Sequence, residues 1–255
     1  KNISERILKN NNSQLVVSDE DFASLTVAQD LEIPNVLITD VLETKFTKGI
    51  ASFIERKMNK SMMKIIKNCD VVIIPEKGDD QNNIKRVGPI VREINFSREE
   101  LREKFEFNKT TVVISIGGTN AGIFLIDEAI KAILKINQDI QIILVSGPAV
   151  TKKFDNVKNL GFIHNLHEII YAADLIISLA GKSTIDEANA YGTPGIFIPI
   201  KGHFEQEDNA RNEGFMFEDI NRLDKLILEK LEQKRNKINT EGAKLASEII
   251  KEIIK

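Results

Sequence analysis

The 255-residue chain is poor in the residues that build redox and metal centres. Its single cysteine, Cys69, excludes an internal disulfide framework and a thiolate metal cluster, and suits a reducing compartment. No apolar run approaches the ~20 residues of a membrane span, and the amino terminus lacks the apolar core of a signal peptide. Neither sign of charge dominates: 35 Lys and Arg stand against 38 Asp and Glu, a net charge of −3, which argues against nucleic-acid binding read on charge alone. There is no internal repeat and no low-complexity tract. What is present, 42% hydrophobic and 29% charged residues, excludes global disorder and fits one large or two modest domains. The chain opens at Lys1 without a Met, inside a helical pattern that sets Ile3, Ile7 and Leu8 on one face. It is therefore expected to be a processed form or the remainder of a longer chain.

Short apolar runs alternate with helical patterns, the signature of βαβ units and a parallel sheet. In the first part the runs are Leu15–Ser18, Val36–Thr39, Val71–Pro75 and a weaker one near Lys85–Val87, with helical periodicity over Phe22–Leu31 and Thr47–Lys67. The stretch 95–108 is charged and reads as a linker containing a short helix. Strands then resume at Thr111–Ile116, Ile140–Val145, Leu175–Ser178 and Gly195–Ile198. Helices are expected at about Ile123–Ile136, Leu166–Ala172, Thr184–Tyr191, Gln206–Asn212, Arg222–Arg235 and Glu241–Ile254. The expectation is an α/β protein with two Rossmann-like domains: an incomplete one over 1–94 and a complete one over 109–255.

Three segments carry chemistry. Thr111–Ile116 runs into Gly117-Gly118-Thr119-Asn120 and a helix; a helix amino terminus behind a glycine turn presents free N–H groups and positive dipole to an anion. A tight βα turn needs glycine too, and the segment is neither a Walker A loop nor a G-x-G-x-x-G fingerprint. The second is Ala173-Asp174, then Ser178, then Gly181-Lys182-Ser183-Thr184 and Glu187, followed by Gly192-Thr193-Pro194. Thr184 and Glu187 have capping-box spacing; alternatively the turn lies under a diphosphate and Glu187 takes ribose hydroxyls. The third, Lys201-Gly202-His203-Phe204-Glu205-Gln206 to Asn209, is either a solvated loop or one that reads a sugar.

In this order the motifs resemble the C-terminal domain of family-28, MurG-like glycosyltransferases. That family runs Gly-Gly-Ser/Thr, Phe-Ile, Ala-Asp…Ser-x-x-Gly-x-x-Thr-x-x-Glu, Gly-x-Pro and Gln-x-x-Asn-Ala. The counterparts are Gly117 to Thr119, Phe162-Ile163, Ala173 to Glu187, Gly192 to Pro194 and Gln206 to Ala210, over roughly 110–215. The segment from Ser18 to Asp40 is similar, more weakly, to the second half of the family's N-terminal domain, closer in character to its archaeal members.

The resemblance implies a GT-B fold and a UDP-sugar held mainly by the second domain. It places Gly117, Gly118, Thr119 and Asn120 near the diphosphate or acceptor, Phe162 and Ile163 beside the uracil, and Gly181, Ser183 and Thr184 at phosphate. Glu187 falls on the ribose, and Glu205, Gln206 and Asn209 on the sugar. Where the bacterial members carry Arg this chain has Leu179, so Lys182 is the expected positive charge. Their paired glutamines become Glu205-Gln206, which leaves the donor sugar open. The implied reaction is metal-independent and cofactor-free: transfer of a hexose, N-acetylglucosamine first, from UDP-sugar to a lipid-linked acceptor. A UDP-sugar hydrolase or epimerase, or a nucleotide-sugar-binding subunit needing a partner chain, are the alternatives. The family's base on an opening glycine-rich loop has no counterpart here. Asp19, Glu20, Asp21 and Asp40, at expected strand ends, are the candidates, with helix capping the competing role for Asp19 and Asp21. His164 and His167 suit surface or capping positions, and His203 a ligand contact.

One segment departs from the balanced charge. Between Lys45 and Lys67 stand seven basic residues against one acid, Glu55, interleaved with Phe46, Ile50, Phe53, Ile54, Met58, Met62, Met63, Ile65 and Ile66. It reads either as a core-facing helix with a solvated lysine face or as a helix lying on anionic lipid. The second reading expects a cytoplasmic protein, peripheral on the membrane face.

Overall fold

The computed structural model describes residues 2–45, 52–117, 120–136, 138–147, 150, 152, 154–238 and 240–254. The chain divides into two compact units, 1–90 with 240–255, and 91–239. In chain order the first unit contains α1 (Asn2–Asn10), β1 (Val16–Asp19), α2 (Phe22–Asp30), β2 (Asn35–Ile38), α3 (Ser52–Lys67), β3 (Val71–Ile74) and β4 (Ile84–Arg86). The second contains α4 (Arg98–Phe105), β5 (Thr111–Ser115), α5 (Ile123–Ile136), β6 (Gln141–Val145), β7 (Val157–Gly161), α6 (Leu166–Ala172), β8 (Leu175–Leu179), α7 (Lys182–Tyr191), β9 (Gly195–Ile198), α8 (Phe204–Asn212) and α9 (Leu223–Leu231). The last helix, α10 (Gly242–Ile254), groups with the first unit.

The first sheet is parallel in the order β1-β2-β3-β4. Each connection steps the same way, so right-handed crossovers put α2 and α3 on one face. There Leu25, Ile66 and Cys69 pack on Leu37, Val72 and Ile74. The alternate strand residues point the other way: Val36 and Ile73 meet Ala246, Ile249 and Ile250 of α10. The expectation that this helix closes the second domain is thereby corrected, because its apolar stripe is spent on the first sheet.

The second sheet is parallel in the order β7-β6-β5-β8-β9. Here the steps reverse: β5 to β6 moves one way and β8 to β9 the other, which places α5 and α7 on opposite faces. The strands β5, β6, β8 and β9 are almost wholly buried. The sequence reading omitted β7. Its residues Val-Lys-Asn-Leu-Gly form an edge strand with Lys158 and Asn159 exposed, so neither apolar alternation nor an apolar run marks it.

The expected linker over 95–108 is an integral part of the second unit. Ser97 and Glu100 form a reciprocal capping box that starts α4, and Leu101 is fully buried. Arg98 and Arg102 both reach the Asp174 carboxylate, which also accepts the Thr111 amide at 2.8 Å. Arg235 stands beside them and donates to Ala173 O at 2.6 Å, Tyr171 O at 2.9 Å and the Thr193 hydroxyl at 2.8 Å. Burial and the neighbouring Arg98 lower the Arg235 pKa to about 10.

Burial opposes ionisation of Asp174, but the Thr111 amide and the two guanidiniums outweigh it and hold the pKa below the ordinary 3.8. A carboxylate with a depressed folded pKa adds stability above its unfolded pKa and loses it as pH falls through the folded value. Asp174→Asn is therefore expected to cost about 1.5–3 kcal/mol at pH 7 in urea unfolding, the range for hydrogen bonds to a charged group. The gap between wild type and variant should close below about pH 4; a gap unchanged down to pH 2 would contradict this account.

Candidate functional site

In an open parallel sheet ligands bind beyond the carboxyl ends of the strands, where the winding reverses. That point lies between β5 and β8, whose ends are in register at Ser115 and Ser178. Two turns leave the sheet there side by side. From β5 the chain enters Gly117, which adopts φ +73°, a conformation that favours glycine. Its carbonyl accepts the Gly147 amide at 3.2 Å, joining the turn after β6 to the turn after β5. Gly118, Thr119 and the Asn120 side chain lie outside the described residues; the backbone resumes as a 3-10 turn at Asn120–Gly122.

From β8 the chain passes Ala180 and Gly181 into α7. The helix begins at Lys182, its cap residue is Gly181, and no side chain caps it. The expected capping box of Thr184 and Glu187 is therefore not formed, since Thr184 is already the third helical residue. Lys182, Ser183 and Thr184 make up a first turn whose N–H groups are those an α-helix leaves without internal partners. Lys182 forms an ion pair with Asp186 at 2.6 Å one turn on.

Glu187 lies one turn further along the same helix with its side chain 6% exposed. It is held by a residue to which the sequence reading assigned no role. Arg92 donates from Nε to Oε1 at 2.7 Å and from Nη2 to Oε2 at 3.2 Å, a bidentate fork of the kind that combines strength with fixed geometry. Its Nη1 also donates to the His164 carbonyl at 3.1 Å. Arg92 thus brings Glu187 and the loop after β7 together. In that loop Phe162 is 63% exposed and meets His164 edge-on, with centroids 5.0 Å apart, while Ile163 packs against the core. Nothing in the spacing of Arg92 marks it, because its partners are 72 and 95 residues away. His167 is partly buried, with Nδ1 enclosed and unbonded; burial, then the charge of Arg92, lowers its pKa.

The third segment closes the site. Asn209, on α8, donates to Ala180 O at 3.2 Å and ties that helix to the turn before α7. The Gln206 carbonyl accepts the Ile200 amide at 3.0 Å. His203 caps α8, its Nδ1 accepting the Gln206 amide at 3.4 Å, so its role in this structure is structural. Glu205 occupies the first turn of α8, half-buried.

The first unit carries a separate group of carboxylates. Asp21 is the cap of α2, accepting the Ala23 and Ser24 amides, so the capping role accounts for it. Asp19 is exposed at the end of β1. Glu20 follows in the left-handed region at φ +58° and accepts the Thr39 hydroxyl at 3.3 Å. Desolvation, then a hydrogen bond and charge repulsion from Asp40, raise its pKa to about 7. A carboxyl group whose pKa is raised in this way suits acid–base chemistry near neutral pH.

On α3 the buried positions include Glu55 and Asn59, while Phe53 and Ile54 are 67% and 73% exposed and Met58 is exposed with them. Asn59 accepts the Thr44 amide and hydroxyl and donates to the Thr44 carbonyl. The first two turns of this helix therefore invert the core-facing pattern expected of a solvated lysine face. Residues 46–51, including Phe46, Lys48 and Ile50, lie outside the described residues. No described helix is long and apolar enough to cross a membrane.

The family profile described as "Glycosyltransferase family 28 C-terminal domain" matches residues 111–254, more than half of the chain. The chain belongs to glycosyltransferase family 28. An uncharacterized glycosyltransferase of Methanopyrus kandleri is 25% identical over 219 residues, covering 80% of this chain and 62% of that protein. A Thermosipho melanesiensis protein named UDP-N-acetylglucosamine--N-acetylmuramyl-(pentapeptide) pyrophosphoryl-undecaprenol N-acetylglucosamine transferase is 32% identical over 168 residues, covering 60% of this chain and 50% of that one. The chain thus spans about three fifths or less of the length of these relatives. Among solved structures, Phytolacca americana UGT2 complexed with UDP-2-fluoroglucose and pterostilbene superposes with a TM-score of 0.62 at 14% identity, covering 100% of this chain and 79% of that one. A spinosyn rhamnosyltransferase complexed with spinosyn aglycone gives 0.60 at 15%, covering 98% and 71%. These likenesses establish the GT-B fold.

The carboxylate pair has a direct test. A raised folded pKa means stability present below the unfolded value and lost as pH rises through the folded one. The 13C titration of the Glu20 carboxyl is expected to have its midpoint near 7, falling toward the ordinary ~4.3 in Asp40→Asn. A wild-type midpoint below 5 would contradict the raised pKa of Glu20.

Proposed function

We propose that this chain carries the nucleotide-sugar site of a UDP-sugar-dependent hexosyltransferase whose acceptor is presented at a membrane surface. The observation that carries the reading is the uncapped α7 amino terminus beyond the β5–β8 switch point, with Lys182, Ser183 and Thr184 in its first turn. Such a terminus offers N–H groups and positive dipole to a diphosphate. These groups, with Lys182, stabilise the departing UDP without a metal ion. Glu187 takes the ribose hydroxyls, Phe162 and Ile163 border the base, and Glu205, Gln206 and Asn209 face the sugar. The acceptor hydroxyl loses its proton to a general base, and among the first unit's carboxyl groups Glu20, with its pKa about 7, is matched to that work. N-acetylglucosamine as donor sugar and a lipid-linked acceptor draw support from the name of the Thermosipho relative.

The exposed Phe53, Ile54 and Met58 on a helix bearing Arg56, Lys57, Lys60, Lys64 and Lys67 fit an interfacial surface on anionic lipid, where each basic side chain adds about 1 kcal/mol.

Two measurements test the reading. In calorimetry the chain should bind UDP, and Glu187→Ala should weaken it by about 1.5–3 kcal/mol, the loss for a charged hydrogen bond; unchanged affinity would remove Glu187 from the site. In co-sedimentation the chain should bind vesicles containing anionic lipid over neutral ones. Phe53→Ser with Ile54→Ser should lower that binding about tenfold or more, and equal binding to both vesicle types would sink the membrane reading.

A further inference from the structure

Arg92 is fastened at both ends. Its carbonyl accepts the Tyr191 hydroxyl at 2.6 Å, and the Tyr191 ring is buried, edge-on to Tyr171 with centroids 5.9 Å apart. Val91 and Ile94, on either side of it in the chain, pack against the core of the second unit. At the other end the guanidinium holds the Glu187 carboxylate through Nε and Nη2 and the His164 carbonyl through Nη1. Backbone anchor and side-chain fork together fix where the guanidinium stands.

That placement decides how Glu187 is presented. A carboxylate has about four acceptor positions on its two oxygens, and the fork occupies one on each. About one position per oxygen remains, a matched pair of acceptors for the two O–H groups of a vicinal diol. Because Arg92 donates from two nitrogens, it sets the plane of the carboxylate as well as its place. A lysine ammonium, being a point charge, sets only the place. The third contact goes to His164, two residues beyond Phe162. One planar group thus spaces the carboxylate assigned to the ribose from the loop assigned to the base.

We infer that Arg92 is a positioning residue for the nucleoside, aiming the Glu187 carboxylate at the ribose hydroxyls and so selecting ribonucleoside over 2′-deoxyribonucleoside diphosphates. The inference rests on the nucleotide reading above. It extends that reading to a residue outside the family motifs and to the class of nucleotide accepted.

Calorimetry on the whole chain with UDP and 2′-deoxy-UDP tests it in wild type, Arg92→Lys, Arg92→Gln, Glu187→Gln and the double variant Arg92→Gln with Glu187→Gln. The two ligands differ by one hydroxyl, so their affinity ratio isolates the ribose contact, while 2′-deoxy-UDP reports on the rest of the site. Wild type is expected to prefer UDP about tenfold or more, the worth of one hydrogen bond to a charged group. In Arg92→Gln the preference should fall below about threefold, with affinity for 2′-deoxy-UDP within about threefold of wild type. Arg92→Lys keeps a positive charge beside buried Glu187 and guards against a variant that fails to fold. It should lose the preference too, because an ammonium cannot form the fork. In the Glu187→Gln background, replacing Arg92 should change the ratio no further, since the two residues act as one unit. A preference retained in either Arg92 variant, an equal loss of both ligands, or additive effects in the double variant would overturn the positioning role alone. UDP bound by wild type with no preference over 2′-deoxy-UDP would remove Glu187 from the ribose, and the role of Arg92 with it. Binding of neither ligand by wild type would overturn the nucleotide reading itself.

Discussion

The pairing of β5 with β8 is the constraint on which the second unit depends. Because β5 is flanked by β6 on one side and β8 on the other, the winding reverses there and two turns leave the sheet together. Three parts of the site are fastened to those turns: Gly147 to Gly117, Asn209 to Ala180, and Glu187 to the helix that Gly181 begins. At the opposite end of the same strand pair, Asp174 accepts the amide that starts β5 and draws in two arginines from α4. One strand pair therefore joins a charged anchor at its amino end to two adjoining turns at its carboxyl end, where open parallel sheets place ligands.

The first unit lacks such a reversal among its described residues. Its four strands run in one direction, with α2 and α3 on one face and α10 on the other. At the ends of β1 and β2, burial and then the neighbouring Asp40 raise the Glu20 pKa, and exposed apolar side chains stand on α3. On that helix Asn59 turns inward to latch Thr44, while Phe53 and Ile54 face outward.

Much of this was written plainly in the sequence. Buried parallel strands read as apolar runs, so eight of the nine described strands fell where expected. What escaped did so for physical reasons. β7 is an edge strand with polar exposed residues. α10 spends its apolar stripe on the first sheet, and a stripe does not name its partner. The 95–108 segment looked like a linker because its charges, Arg98 and Arg102, act through an aspartate more than 70 residues away. Arg92 escapes for the same cause, since a single basic residue between Val91 and Glu93 has no periodicity to announce it. The Thr184–Glu187 spacing suggested a cap, but Gly181 starts the helix earlier and frees Glu187 for Arg92.

The central claim is that the α7 amino terminus receives a nucleotide diphosphate. A crystal structure of the chain grown with UDP tests it most directly. The account predicts the diphosphate within hydrogen-bond reach of the Gly181 to Thr184 amides, with the ribose toward Glu187. UDP bound elsewhere on the chain, with the α7 terminus unchanged, would contradict it.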